Sequence, residues 1–184
     1  MSNTTTAAGL NSNPALNNIL TRVSVRRYAD KAVDKALVET IMRAAMSAPT
    51  AVNKQPWEFI VVDDRELLAQ LASALPYAKM AAHAPLAIIV CAAKDRELPG
   101  IDSSLWEQDC SAASENILLA AHALGLGGVW TCLYPHTERM EAAARILKIG
   151  SGIIPFNLIP IGYPEADHAP MDKWHPERIH HNGF

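Results

Sequence analysis

The sequence is poor in several features that assign proteins to particular classes. It has only 3 cysteines in 184 residues, and Cys91, Cys110 and Cys132 are widely spaced, which excludes a dense disulfide framework. Lys and Arg total 16 against 19 Asp and Glu, without the basic stripe that nucleic-acid-binding proteins usually carry. The longest apolar run, residues 84–93, is about half of what a membrane-spanning helix needs. These absences favour a soluble globular protein without a nucleic-acid or membrane partner.

The chain has enough apolar residues for the core of one ordinary domain. Hydrophobic residues make up 49% of the chain, and its length fits one domain. The first 13 residues are rich in Asn, Thr and Ser and lack the basic and apolar regions of a signal peptide. We therefore expect a flexible tail over residues 1–16, a single domain over 17–184 and a cytoplasmic location. Cys91 and Cys132 lie in apolar runs, which predicts that both are buried.

Helix and strand patterns alternate along the chain. A continuous apolar run at residues 86–93 is typical of a strand covered on both faces, and residues 108–124 are typical of a long buried helix. Residues 94–107 are charged and predict a surface excursion. The other predicted helices cover residues 14–21, 34–48, 63–75 and 137–148, with a short helical piece at 76–85, and the other strands cover 57–62, 129–133 and 156–161. This alternation indicates an α/β or α+β fold with four or five strands.

Residues 22–28 read RVSVRRY and concentrate positive charge. In an extended segment alternate residues point to one side, so Arg22, Ser24 and Arg26 would share a face and Arg27 would lie opposite. Two guanidinium groups that flank a hydroxyl suit a phosphate, because each planar guanidinium donates parallel charge-assisted hydrogen bonds. A solvated basic loop is the alternative interpretation.

Residues 47–57 read SAPTAVNKQPW and join a predicted helix to a predicted strand. Two prolines stiffen the segment, and the side-chain amides of Asn53 and Gln55 each offer a donor and an acceptor. Such a pair suits the edge of a flat heterocycle that presents alternating nitrogen and oxygen atoms. Alternatively, Asn53 only satisfies backbone groups of the loop.

Residues 125–132 read GLGGVWTC and follow the long predicted helix. Glycines allow another molecule to approach the backbone closely, and Trp130 adds a flat apolar surface. The segment does not match a dinucleotide-binding fingerprint, because its glycines follow a helix and precede a strand. A plain helix C-terminus is the alternative interpretation.

Together the three segments resemble the FMN-dependent nitroreductase family. The similarity is carried by RxSxRxY at residues 22–28, by APTxxNxQPW at 48–57 with Thr50 where Ser is usual, by GLGGVW at 125–130, and by IGYP at 161–164 followed by DKW at 172–174. The resemblance implies an α+β fold with three α/β/α layers, in which a mostly antiparallel mixed sheet of four to five strands surrounds a long central helix. It also implies a homodimer with its FMN sites at the subunit interface.

The resemblance further implies which residues bind FMN. Arg22, Ser24 and Arg26 would hold the phosphate and ribityl end, with Lys173 as a late basic contact, and Asn53 would reach the ring edge. The complete implied set is Arg22, Val23, Ser24, Arg26, Pro49, Thr50, Asn53, Gln55, Gly128, Trp130, Thr131, Cys132 and Lys173.

The implied activity is the reduction of nitroaromatics, quinones or similar electron-poor small molecules by NAD(P)H. One pocket that serves two substrates in turn predicts ping-pong kinetics. The cofactor carries the chemistry in such enzymes, so no catalytic side chain is predicted. A non-catalytic FMN carrier or redox-regulated binding module is the alternative from another class. A dehalogenase or flavin-destroying relative is a further alternative, although residues 94–106 leave little room for the lid it needs.

Two other groups of residues invite a functional interpretation. His168, His175, His180 and His181 match no metal-ligand spacing, so no metal site is predicted. Trp106 and Glu107 are expected either at the mouth of the pocket, where they would select substrates, or on a solvated surface loop.

Overall fold

The computed structural model describes residues 13–184, apart from the side chains at 101 and 102. Most of the tail predicted for residues 1–16 lies outside the described residues, and residues 14–16 belong to the first helix. The helices are α1 (Pro14–Thr21), α2 (Lys35–Met46), α3 (Arg65–Ala74), α4 (Leu105–Ala123) and α5 (Thr137–Leu147), and the strands are β1 (Trp57–Val62), β2 (Leu86–Ala93), β3 (Gly127–Gly128), β4 (Thr131–Cys132) and β5 (Ile153–Gly162).

The strands form one sheet whose centre is β2 and β5. Their order is β1-β2-β5-β3, and β4 also pairs with β5. All of these strand pairs are antiparallel, and an isolated parallel bridge joins Ser24 to Gly128. The predicted α+β class, with four to five mostly antiparallel strands, is therefore confirmed.

Alternate residues of β2 divide the core between the two faces of the sheet. Leu86, Ile88 and Val90 pack in a cluster with α2 and α4, whereas Ala87 and Ile89 pack in a cluster with α3 and α5. The result is three α/β/α layers. Because β2 is buried along its whole length, replacing Ile88 or Ile89 with Ala would leave a cavity and cost about 2–5 kcal/mol of stability.

Aspartates begin two of the helices, as the sequence predicts. Asp34 accepts a hydrogen bond from the Ala36 N–H at the start of α2. Asp64 accepts from the N–H groups of Glu66 and Leu67 at the start of α3. These side chains satisfy N–H groups that have no partner within the first turn of a helix.

Helix α4 begins three residues earlier than predicted, at Leu105. Trp106 is only 6% exposed and packs edge-on against Tyr134, with ring centroids 4.9 Å apart. The charged residues at 94–107 predict a surface segment, but burial of the Trp106 indole extends the helix into the end of that segment. The alternative that Trp106 lies on a solvated surface loop is therefore wrong.

The strand predicted over residues 129–133 is interrupted. It starts at Gly127 and splits into β3 and β4, with residues 129 and 130 between them. In the register of β5, Gly128 pairs with Ile161 and Thr131 with Leu158, so Pro160 lies opposite the gap. Proline has no N–H to donate to a strand ladder, which accounts for the break.

Candidate functional site

A cavity of about 320 Å³ lies beside residues 22–28. Its lining residues come from two parts of the chain: Ser24, Arg26, Arg27, Glu165, Ala166 and His168. The Glu165 N–H donates to the Arg27 carbonyl at 3.2 Å, which fixes the second part against the first. Two guanidinium groups and a hydroxyl at one cavity form a donor set suited to a phosphate.

The prediction that Arg27 lies opposite Arg26 is wrong. Val25 is 2% exposed and Tyr28 is 8% exposed, so the buried positions are three residues apart rather than two. Both arginines between them line the cavity. The Tyr28 hydroxyl donates to the carbonyls of Val25 and Pro160, at 2.8 and 3.1 Å, and burial raises the pKa of Tyr28.

Arg22 is directed to helix α4 instead. Its Nε lies 3.2 Å from Glu115 Oε1, and its side chain is 19% exposed. The preceding Thr21 hydroxyl lies 2.9 Å from His122 Nε2, and burial, together with the charge of Arg22, lowers the pKa of His122. These contacts join α1 and the start of the cavity segment to α4. Sequence reasoning missed Glu115, because a contact between distant residues leaves no local pattern.

Strand β3 lies directly against the cavity segment. The Val25 N–H donates to the Gly128 carbonyl at 3.0 Å. A Cβ on Gly127 would lie 2.3 Å from Val25 Cγ2, and a Cβ on Gly128 would lie 2.9 Å from the Pro160 carbonyl oxygen. Both glycines are therefore required for the chain to pack against itself, a reason that the sequence pattern did not reveal.

Residues 130–132 follow the glycines along the edge of the sheet. The Thr131 hydroxyl donates to the Leu158 carbonyl at 2.7 Å, so this side chain is already satisfied within the protein. Trp130 packs edge-on against Phe156, with centroids 5.7 Å apart. Cys132 is exposed, and the prediction that it is buried is wrong. Side chains alternate along a strand, and Thr131 takes the inward position.

The loop that carries Asn53 has a left-handed backbone at three non-glycine residues. The φ angles are +42° at Val52, +57° at Asn53 and +49° at Gln55, and such conformations cost about 1–3 kcal/mol each. Gln55 Nε2 donates to Asn53 Oδ1 at 3.1 Å. In this pairing Asn53 Nδ2 and Gln55 Oε1 have no hydrogen-bond partner among the described residues.

Helix α4 also holds the start of this loop. Asp109 Oδ1 accepts a hydrogen bond from the Ala51 N–H at 2.9 Å, and the residue is 7% exposed. Burial raises the pKa of Asp109, and the hydrogen bond from Ala51 opposes that rise. Sequence reasoning missed this residue, because its partner Ala51 lies 58 positions away and leaves no local pattern.

The remaining predicted residues lie apart from the cavity. Val23 packs partly against the small cluster around Tyr28. Pro49 and Lys173 are exposed, and Lys173 is not among the cavity-lining residues. Thr50 Oγ1 accepts from the Gln55 N–H at 3.1 Å. The structure thus brings Ser24, Arg26 and Gly128 together and places the Asn53 loop in a second group.

The described residues contain neither a metal-binding cluster nor a membrane span. Between residues 13 and 184, leaving aside the side chains at 101 and 102, no three His, Cys, Asp or Glu side chains are grouped to hold a metal ion. No helix in this part of the chain is long and apolar enough to cross a membrane.

Comparison with known proteins gives a family model and a relative that agree with each other. Residues 19–76 and 69–163 match the model of the nitroreductase family. A Methanothermobacter thermautotrophicus protein, provisionally named NADH dehydrogenase/NAD(P)H nitroreductase, is 48% identical over 166 residues, which span 90% of this chain and 85% of the relative.

Solved structures agree with this match. The crystal structure of a protein with the same provisional name from Bacteroides thetaiotaomicron is 45% identical, with a TM-score of 0.89 over 94% of this chain and 99% of that chain. An FMN-dependent nitroreductase from Clostridium difficile is 30% identical, with a TM-score of 0.84 over 91% of this chain and 98% of that chain.

The chain belongs to the nitroreductase family. The resemblance inferred from the three sequence segments is confirmed, and so is the expectation that the chain belongs to a family of oxidoreductases.

Proposed function

We propose that this chain is a cytoplasmic, FMN-dependent oxidoreductase that uses NAD(P)H to reduce nitroaromatics, quinones or similar electron-poor small molecules. The family supports the reaction class, and the names of its relatives support the pairing of FMN with NAD(P)H. The structural observation that carries the proposal is the cavity where Ser24, Arg26 and Arg27 meet beside β3.

The cavity fits the phosphate end of FMN. A phosphate that carries up to two negative charges needs several strong donors, and the forked guanidinium groups of Arg26 and Arg27 supply them together with the Ser24 hydroxyl. We also include Arg22, Val23 and Lys173, for which the family resemblance implies contacts with FMN. The ion pair of Arg22 with Glu115 orients that guanidinium along α4, next to the cavity segment.

The Asn53 loop fits the ring end. Its paired amides offer a donor beside an acceptor, which complements a heterocycle edge. Pro49, Thr50 and Gln55 would line the ring on this side, and Gly128, Trp130, Thr131 and Cys132 would pass it along β3 and β4. Bound FMN would supply the hydride chemistry, while the residues of this chain hold and orient its two ends.

We propose a homodimer in which the flavin sites lie at the interface. Within the described chain no hydrogen bond or ion pair joins the cavity residues to the Asn53 loop, and a second copy could bring the two groups of residues to one ligand. Leu16, Ile19 and Leu20 of α1 are 42%, 55% and 52% exposed, and Met171 and Trp174 are 77% and 69% exposed. Apolar side chains exposed in this way are typical of a surface that another chain covers.

Two measurements on the purified protein test the proposal. The protein should bind FMN, and the loaded protein should oxidise NAD(P)H in the presence of a nitroaromatic or quinone. Initial rates at several concentrations of both substrates should give the parallel reciprocal plots of a ping-pong mechanism.

The outcomes separate the alternatives. A yellow protein that turns over no acceptor would support the non-catalytic carrier. Release of halide from a halogenated aromatic would favour the dehalogenase. A colourless protein that cannot be loaded with FMN would contradict both the oxidoreductase and the carrier.

A further inference from the structure

The left-handed loop at residues 50–55 needs restraint from outside itself. Three of its residues, Val52, Asn53 and Gln55, have positive φ, and a β-branched residue such as Val52 is especially strained there. Such backbone persists only where the surrounding structure over-determines it. Within the loop, the Gln55 N–H donates to Thr50 Oγ1 at 3.1 Å.

Two charged side chains from other elements hold the ends of this loop. At its start, Asp109 Oδ1 accepts the Ala51 N–H at 2.9 Å from within the buried face of α4. At its end, Arg96 Nη1 donates to the Gln55 carbonyl at 2.8 Å. Both bonds are charge-assisted and therefore stronger than neutral ones. They lie at the two ends of the segment that carries the paired amides of Asn53 and Gln55.

Each of the two side chains is itself held in place. Arg96 follows β2 and forms an ion pair with Glu58 of β1, so the central sheet fixes its position. Asp109 is fixed by the burial of α4 in the core. The loop is therefore tied to the sheet through Arg96 and to the central helix through Asp109.

We propose that Asp109 and Arg96 are positioning residues, which clamp the left-handed loop so that the Asn53 and Gln55 amides meet the flavin ring in a fixed orientation. This inference rests on the proposed function, because it concerns the loop assigned to the ring. Neither residue touches the ring; both act through the backbone of residues 51–55.

Limited trypsin digestion of the FMN-free protein tests the clamp without any flavin. Lys54 is exposed within the loop and supplies a cleavage site there. We expect Asp109→Ala and Arg96→Ala to speed cleavage after Lys54 by about tenfold or more, the effect of losing one charge-assisted hydrogen bond on a local opening equilibrium. Cleavage rates at this bond are read by mass spectrometry.

Matched controls keep the result specific. Asp109→Asn retains a carbonyl oxygen for Ala51 and should restore slow cleavage. Ser114→Ala removes a different buried hydrogen bond of α4, that with Asn157, and should not open the loop. Glu58→Gln removes the charge opposite Arg96 but keeps a side-chain oxygen that accepts from it, so Arg96 should stay in place and cleavage should stay slow. Equal cleavage in wild type, Asp109→Ala and Arg96→Ala would overturn the clamp.

The midpoint potential of the FMN-loaded protein tests whether the clamp acts on the ligand. Asn53→Ala should shift the potential, and Asp109→Ala should shift it in the same direction. The double variant should shift it no further, because both changes remove the same contact. Additive shifts, or none in Asp109→Ala, would overturn the positioning role. A wild-type protein that binds no FMN would contradict the proposed function, and the trypsin result alone would then decide the clamp.

Discussion

At the residue scale, Arg26 and Arg27 show how the interval between two buried residues determines which side chains line a site. Strict alternation would direct only one of them to the cavity. The spacing of three between buried Val25 and buried Tyr28 places both there, so the cavity has two forked donors from adjacent positions. A charged hydrogen bond contributes about 1.5–3 kcal/mol, and we expect each arginine to contribute that much to the free energy of FMN binding.

We expect Arg26→Ala and Arg27→Ala each to weaken FMN binding by about 1.5–3 kcal/mol, measured by titration of the FMN-free protein. Arg43→Ala is the matched control, since Arg43 is exposed on α2 and pairs with Glu39. Unchanged affinity in both cavity variants would place the phosphate elsewhere.

The three cysteines differ in burial, and we expect them to differ in reactivity. Burial raises the pKa of Cys91 to about 12 and also raises the pKa of Cys110, whereas Cys132 is exposed. Because the thiolate is the reactive form, we expect a chromogenic disulfide reagent to modify one thiol per native chain and all 3 after denaturation. Bound FMN should slow the native reaction. A second fast thiol in the native protein, or no protection by FMN, would contradict this arrangement.

At the scale of elements, the sequence predicts a helix or strand correctly where the residues that determine it are neighbours in the chain. Asp34 and Asp64 mark helix starts by their own hydrogen bonds, and the unbroken apolar run of β2 reports a strand buried on both faces. Where a residue distant in sequence determines the structure of a segment, the local pattern does not predict that structure. Pro160 interrupts the strand opposite it, Trp106 lengthens α4 by packing on Tyr134, and Asp109 holds a loop that lies far from it in sequence.

The close packing of β3 on the cavity segment can be tested at Gly127. Gly127→Ala would place a methyl group 2.3 Å from Val25 Cγ2, so we expect a loss of about 1–3 kcal/mol in unfolding free energy and weaker FMN binding as Ser24 is displaced. Gly150→Ala is the control, since its methyl group meets nothing within 4 Å. Chemical denaturation and FMN titration measure both effects, and equal stability of the two variants would contradict the packing.

At the scale of the whole molecule, helix α4 links the two groups of candidate site residues. Glu115 contacts Arg22 beside the cavity, Asp109 contacts the loop of Asn53, and Asn116 donates to the Ala44 carbonyl of α2 at 2.9 Å. The central helix therefore sets the positions of both groups. No hydrogen bond or ion pair joins the two groups within the described chain, which supports the proposal of a second copy.

The proposed homodimer should depend on the apolar side chains of the exposed C-terminal arm, residues 165–184. We expect Trp174→Ser to weaken dimerisation by about 2 kcal/mol or more, the effect of removing an aromatic anchor from an interface. Tyr77→Ser is a matched control, since Tyr77 is 68% exposed and Trp174 is 69% exposed. Sedimentation over a concentration series measures the dissociation constant. Equal dimerisation in wild type and Trp174→Ser would show that this arm does not contribute.

The central claim is that one flavin site serves a reductant and an acceptor in turn. The most direct test is anaerobic stopped-flow spectroscopy of the FMN-loaded protein in two separate mixing experiments. Mixing with NAD(P)H should bleach the flavin absorbance, and mixing the bleached protein with a nitroaromatic or quinone should restore it, each at least as fast as steady-state turnover. Flavin that stays oxidised with both NADH and NADPH, or that no acceptor reoxidises, would contradict the account.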